Sequence, residues 1–220
     1  MSFGILFWDE LRGFMKSKIM LALWIGMPLM AILMHLIQPD TEGIPISVFT
    51  GLFLSAIGGA LAAVLLSTSI VNESNAKVYD LYLIRPVKRH NILLAKYFAV
   101  ILNLFVAAIL SLAIGLVIDW ITIGLPSKEI IIDTLDSMVM SLAAMSIACS
   151  IGILIGILIK SVGLAAILSL YLGQQLSLLV MLPGIFFENI NLMLFSAAAG
   201  IPITIIVLVV EIFIFNKKQF

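Results

Sequence analysis

Few side chains in this sequence have the types and spacing that enzymatic chemistry requires. A hydrolase using serine and histidine needs both groups at one place, and His35 and His90 stand beside no recognisable nucleophile motif. Two histidines and the single Cys149 are also a poor ligand set for a zinc-type metal site. The sequence contains no GxxxxGKS or GxxxxGKT phosphate loop, so the chain cannot bind ATP by that route. We therefore expect no enzymatic activity, no metal and no cofactor on this chain.

Polar side chains inside the long apolar stretches are the next candidates. Asn103, Gln174 and Gln175 lie near the middle of such stretches. Amides at that depth usually hydrogen-bond to a neighbouring helix, and lining of a substrate path is the alternative. Lys96 and Glu211 lie near stretch ends, where the Lys96 side chain can snorkel to the membrane surface. Because gradient-driven transporters rely on ionisable groups within the membrane, the sequence predicts that any uphill transport draws its energy from another polypeptide.

The segment 72–90 is the richest in polar and charged side chains. It begins near Glu73 and continues as an amphipathic helical turn or two, with Asp80 and Arg85 among apolar residues. Pro86 disfavours helical geometry at the residue before it and suits the first turn of a following helix. A short helix of this kind outside the membrane is either a docking point for a soluble partner or a connector that faces lipid.

The elements that would position these residues are membrane-spanning helices. Of the 220 residues, 63% are hydrophobic and only 11% are charged, and the mean hydropathy is +1.25. A soluble domain has roughly 45–50% apolar and about 25% charged residues. Lipid leaves helices as the expected form, and six apolar stretches are long enough to cross a bilayer. They form a single membrane domain, 1–220, with predicted spans at 19–38, 46–71, 91–118, 137–159, 161–182 and 197–215.

Rows of small residues four apart run along several of these predicted spans. They indicate close helix packing, because small side chains let helix backbones approach. The partner of each row is another span of this chain or a second subunit. The rows are Gly51, Ser55, Gly59, Ala63 and Ser67; Ala107, Ser111 and Gly115; and Ala144, Ala148, Gly152 and Gly156.

The distribution of charge predicts the topology. With six spans, every lysine and arginine except Lys128 falls on one side, and the positive-inside rule makes that side cytoplasmic. Both termini then lie in the cytoplasm of a multi-pass protein of the cell membrane. Lys88 and Arg89 meet the membrane surface, where they favour anionic lipids. The formal net charge of zero gives no reason to expect nucleic acid as a partner.

The N-terminal segment 1–18 is predicted to be an amphipathic helix on the inner membrane surface. A frayed extension of the first span is the alternative. Apolar residues recur at helical spacing, and polar residues occupy the other side. The apolar set is Phe3, Phe7, Leu11, Phe14 and Met15, and the polar set is Asp9, Glu10, Arg12 and Lys16.

Two further segments lie between predicted spans on the outer side. Residues 119–136 are expected to form the longest outer loop, which is too short for a folded external domain. Residues 183–196 are mostly apolar but are interrupted by Pro183, Gly184 and Glu188. A helix broken in this way can re-enter the outer leaflet without crossing, if protein covers its backbone.

The segment after the second predicted span resembles the cytoplasmic loop of ABC type-2 permeases. The resemblance consists of Glu73, a helical stretch, the block LIRPVKR at 83–89 and the run ILLAK at 92–96. Lys88 stands where that family commonly has serine, and Ala95 stands where it commonly has glycine. The N-terminal surface helix, the six spans, the internal termini and the broken segment before the last span are also similar to that family.

This resemblance implies the permease subunit of an ATP-driven exporter. In that family two six-span subunits, identical or related, form the substrate path, and two cytosolic ATPase subunits bind ATP and Mg. The loop helix, here about 74–85, couples hydrolysis to the membrane part. The implied coupling residues are Glu73, Tyr79, Asp80, Tyr82 and Arg85. The lack of a large outer domain favours a small amphipathic or hydrophobic substrate. A membrane interaction or peptide-immunity protein that does not transport is the alternative from another class.

Overall fold

The structure, a computed structural model, describes residues 3–37, 45–79, 88–122, 124–178 and 192–217. Nearly all of these residues are helical, and no strand occurs among them. The third helix includes a π-helical turn at Leu54–Gly58. The helices are α1 (Phe3–Lys16), α2 (Lys18–Ile37), α3 (Ile46–Asn75), α4 (Arg89–Thr122), α5 (Lys128–Leu158), α6 (Val162–Leu178) and α7 (Leu192–Lys217).

Four helices, α3, α4, α5 and α7, are long and apolar enough to cross a membrane. Helices α1 and α2 pass the same test only as a pair, and a bend of 63° separates them. The Ser17 hydroxyl accepts a hydrogen bond from the Met20 amide at 3.1 Å, so it caps the start of α2 at that bend. Helix α6 is a shorter apolar helix. The predicted all-helical chain with several spanning candidates is confirmed, and the count of six crossings stays a prediction.

The prediction that residues 119–136 form an outer loop is wrong for most of this range. Helix α4 continues to Thr122, and α5 already begins at Lys128. The Ser127 hydroxyl accepts from the Ile130 amide at 3.3 Å, and an acidic residue in the first turn, Glu129, complements the helix dipole. The charged residues that suggested a loop therefore belong to the polar ends of helices. Residues 183–191 of the predicted re-entrant segment lie outside the described residues. The rest of that segment, 192–196, belongs to the start of α7.

Helices α3, α5 and α6 pack through their small residues. A Cβ atom added at Gly152 of α5 would lie 2.7 Å from the Cα atom of Ala63 in α3, so only glycine allows the two backbones this approach. The Ser67 and Ser169 hydroxyls lie 2.8 Å apart and join α3 to α6. The rows of small residues in α3 and α5 therefore pack against each other within one chain.

The basic end of the helix bundle is the end at which Lys16, Arg89, Lys160 and Lys217 lie, and it holds the C-terminal turn of α3. There the Asn75 amide donates to the Lys160 carbonyl at 3.1 Å. Helix α1 buries Leu6, Leu11 and Phe14 against the bundle and leaves Trp8 exposed. Phe3 and Met15 of the predicted apolar set are exposed on α1, and the membrane-surface position of this helix stays a prediction.

Candidate functional site

A cluster of three charged side chains, centred on a buried lysine, joins three helices at the basic end. The Lys96 ammonium lies 2.9 Å from Glu10 Oε1 and 2.6 Å from Glu73 Oε1. It also donates to Glu10 Oε2 at 2.9 Å. Lys96 is only 1% exposed. We call these three residues the ionic cluster.

Each member of the ionic cluster comes from a different helix. Glu10 belongs to α1, Glu73 to the last turn of α3 and Lys96 to the second turn of α4. The Ser69 hydroxyl, one turn earlier in α3, lies 3.1 Å from Glu73 Oε1 and donates to it. The Phe14 ring lies 5.8 Å from the ammonium and adds a weak cation–π attraction. The cluster thus ties α1 to both helices that flank the segment 76–88.

The electrostatics of the ionic cluster explain its burial. A lone ammonium in apolar surroundings is strongly disfavoured, and two carboxylates at hydrogen-bond distance compensate that loss of hydration. The cluster carries one positive and two negative formal charges. Two sequence-based expectations are therefore wrong. Lys96 does not snorkel to the surface, and Glu10 turns inward from the polar face of α1, in each case because an opposite charge is available inside.

Tyr79, one of the predicted coupling residues, is buried at the basic end. Its side chain is 2% exposed, and its ring contacts the Phe215 ring edge-on, with centroids 5.4 Å apart. Phe215 lies in the last turns of α7. Tyr79, four residues after the end of α3, is therefore packed against α7. Of the other predicted coupling residues, Glu73 belongs to the ionic cluster, and Asp80, Tyr82 and Arg85 lie outside the described residues.

The remaining predicted residues do not join this site. Lys88 is exposed and Arg89 is half-buried at the start of α4. The buried Asn103 amide donates to the Ala99 carbonyl of its own helix at 2.7 Å, not to a neighbouring helix as predicted. Gln174 and Gln175 are exposed on α6. Within the described ranges no three His, Cys, Asp or Glu side chains are arranged to hold a metal ion.

Two features near the site were missed from the sequence. Glu10 and Lys96 were assigned to the membrane surface, although Lys96 lies beside the apolar run of α4 and so needed a partner once buried. Glu211 was treated as a helix-end residue, yet its side chain is 0% exposed. In both cases the signal was a charged residue inside a long apolar helix, one or two turns from the end of that helix.

The comparisons with known proteins give a family without an assigned activity. The family described as "Protein of unknown function (DUF2705)" matches residues 38–218. This match covers most of the chain, so the protein belongs to that family. No curated protein matches the chain in sequence.

Proposed function

We propose that this member of the DUF2705 family is the membrane-spanning subunit of an ATP-driven exporter. It pairs with a second permease subunit and couples to two cytosolic ATPase subunits through the segment between α3 and α4. The basic end then faces the cytoplasm of the cell membrane, following the positive-inside rule. ATP and Mg are bound by the ATPase subunits, and this chain contributes no hydrolytic site.

The observation that carries this proposal is the ionic cluster. A soluble partner that pushes on the segment 80–87 acts on the end of α3 and the start of α4. Glu73 and Lys96 lie within these two helix ends, and Glu10 adds the surface helix α1 to the same unit. The Tyr79–Phe215 contact adds α7. A displacement of the segment is thereby transmitted to four helices, as a coupling loop requires.

Two surface features support the remaining parts of the proposal. The exposed Gln175 amide on α6 is costly against lipid and is better placed against protein or a water-filled path. This favours a second permease subunit at that face. A groove of about 470 Å³ is lined by apolar residues such as Phe98, Phe105 and Ile201, with Ser146 as a polar member. Such a groove suits a small hydrophobic or amphipathic substrate.

The test is purification of the chain from its own membranes in mild detergent, with mass identification of the proteins that accompany it. We expect an ATP-binding-cassette subunit to accompany the wild-type chain and to be lost from the double variant Asp80→Ala/Arg85→Ala. Lys128→Ala is the matched control, because Lys128 starts α5 at the opposite end and is exposed. Equal recovery from both variants would exclude the segment as the docking site. Recovery of the wild-type chain alone would favour a membrane protein that does not transport.

A further inference from the structure

A carboxyl group in α7 is buried without a hydrogen-bond partner in the part of the chain that the structure describes. Glu211 is 0% exposed, and neither of its carboxylate oxygens has a hydrogen-bond partner among the described residues. The backbone of Leu154 in α5 faces the carboxyl group, but no hydrogen bond of standard geometry joins them. Other buried polar side chains of α7 do have partners. The Thr204 hydroxyl lies 3.0 Å from the Ser146 hydroxyl, and the Ser196 hydroxyl donates to the Met193 carbonyl.

Among the described residues, the titratable groups that face Glu211 supply no positive charge. Tyr97 of α4 and Cys149 of α5 are the titratable side chains close enough to interact with it electrostatically. A phenol and a thiol are neutral or negative in every protonation state. Tyr97 is moreover engaged by the Ser146 hydroxyl at 2.6 Å. Among the described residues the ion pairs belong to Lys96, which binds Glu10 and Glu73.

A lone charge at this position is physically untenable. Transfer of an isolated ionised carboxylate into apolar surroundings costs much more than a folded protein can offset, and such a group is neutralised instead. A metal ion would need further oxygen, nitrogen or sulfur ligands, and no suitable group of three occurs in the part of the chain that the structure describes. A proton, in contrast, can be bound by a single carboxyl group without any further ligand group.

We infer that Glu211 is a proton-binding site inside the membrane part. It holds a proton while α7 is packed against α4 and α5, and it releases that proton when these helices separate and water enters. Separation of α7 is then linked to proton release. The inference concerns this chain alone and does not rest on a partner ATPase.

The test is infrared spectroscopy of the purified full-length chain in detergent at neutral pH. We expect the difference between the wild type and Glu211→Gln to contain the C=O stretch of a protonated carboxyl group. Glu129→Gln is the matched control, because Glu129 is exposed in the first turn of α5. Its difference spectrum should contain only the bands of an ionised carboxylate. Heating the wild type through unfolding should remove the protonated band, because water then reaches the side chain.

A difference spectrum for Glu211→Gln without a protonated-carboxyl band would overturn the inference, whether or not carboxylate bands replace it. Glutamine matches the protonated acid in shape, so this variant should fold. A second variant, Glu211→Asp, keeps a carboxyl group in the same helix. It should retain a protonated band at a shifted frequency, and its loss would also contradict the inference.

Discussion

The carboxylates at the two ends of the bundle have different kinds of partner, backbone amides at one end and a lysine side chain at the other. At the end away from the basic residues, Asp119 of α4 accepts hydrogen bonds from the backbone amides of Ile46 and Ser47 at 2.8 and 3.0 Å. These amides are the first of α3, so Asp119 caps that helix and complements its dipole. At the basic end, Glu10 and Glu73 pair with the side chain of Lys96, and Oε2 of Glu73 has no hydrogen-bond partner among the described residues.

The difference indicates which end can change its contacts without unfolding. The donors to Asp119 are backbone amides of α3, whose positions are fixed by the helix. At that end of the bundle, α3 and α4 are therefore joined rigidly. The ionic cluster is made by three side chains from three helices. Side-chain ion pairs can break and form again while the helices stay intact. This supports the proposal that a partner acts at the basic end while the opposite end holds the helices together.

The largest expected effect is that of Lys96→Met. It would leave the partly buried carboxylates of Glu10 and Glu73 without their cation. Breaking a buried pair from one side costs about 3–5 kcal/mol, and we expect the lower end of that range because both carboxylates keep some contact with solvent. Denaturant unfolding of the purified chain in detergent would measure this loss. Lys128→Ala is the control for removal of an exposed lysine. Equal stability of the two variants would show that the cluster is not a buried ion pair in the folded protein.

A smaller effect is expected for Asp119→Ala. Loss of a capping side chain costs about 1–2 kcal/mol, because the amides of Ile46 and Ser47 lose their acceptor. Hydrogen exchange at these two amides should become faster in the variant, with the rest of α3 little changed. Asp119→Asn is the control, since its amide oxygen can still accept one of the bonds. Unchanged exchange in Asp119→Ala would contradict the assignment of Asp119 as the cap.

The smallest effect is expected for Ser47→Ala. The Ser47 and Thr134 hydroxyls lie 2.9 Å apart, but Thr134 also donates to the Ile130 carbonyl at 2.7 Å. Loss of one such bond costs about 0.5–1.5 kcal/mol, and Thr134 keeps its other partner, so we expect the lower end of that range. The same unfolding measurement applies. A loss as large as that of Lys96→Met would mean that the contrast between the two ends is wrong.

The sequence predicted the helices better than the contacts between charged groups. Hydropathy located α2 to α7 but assigned the end of α4 and the start of α5 to a loop, and the amphipathic pattern located α1. The small residues at Ala63 and Gly152 indicated close packing because backbone approach requires them. The same pattern could not tell which helices the rows would join. Within this chain they join α3 to α5.

The ionic cluster could not be predicted from the sequence because its members are distant from one another along the chain. Lys96 is separated from Glu10 by 86 residues and from Glu73 by 23. Helical periodicity places Glu10 on the polar face of α1, and it cannot distinguish a face directed to water from one directed to an opposite charge. Asp119 was likewise assigned to a loop, because a charged residue after an apolar run also marks a span end.

The most direct test of the central claim is a charge exchange within the ionic cluster. The amount of ATPase recovered with the chain in mild detergent would be compared for the wild type, Lys96→Glu and Lys96→Glu/Glu73→Lys. If the cluster holds the coupling segment in place, the single variant loses the ATPase and the double variant regains part of it, because a cation and a carboxylate again pair between α3 and α4 while Glu10 now faces a like charge. Recovery of the wild-type chain without an ATPase, or equal recovery from all three, would contradict the account.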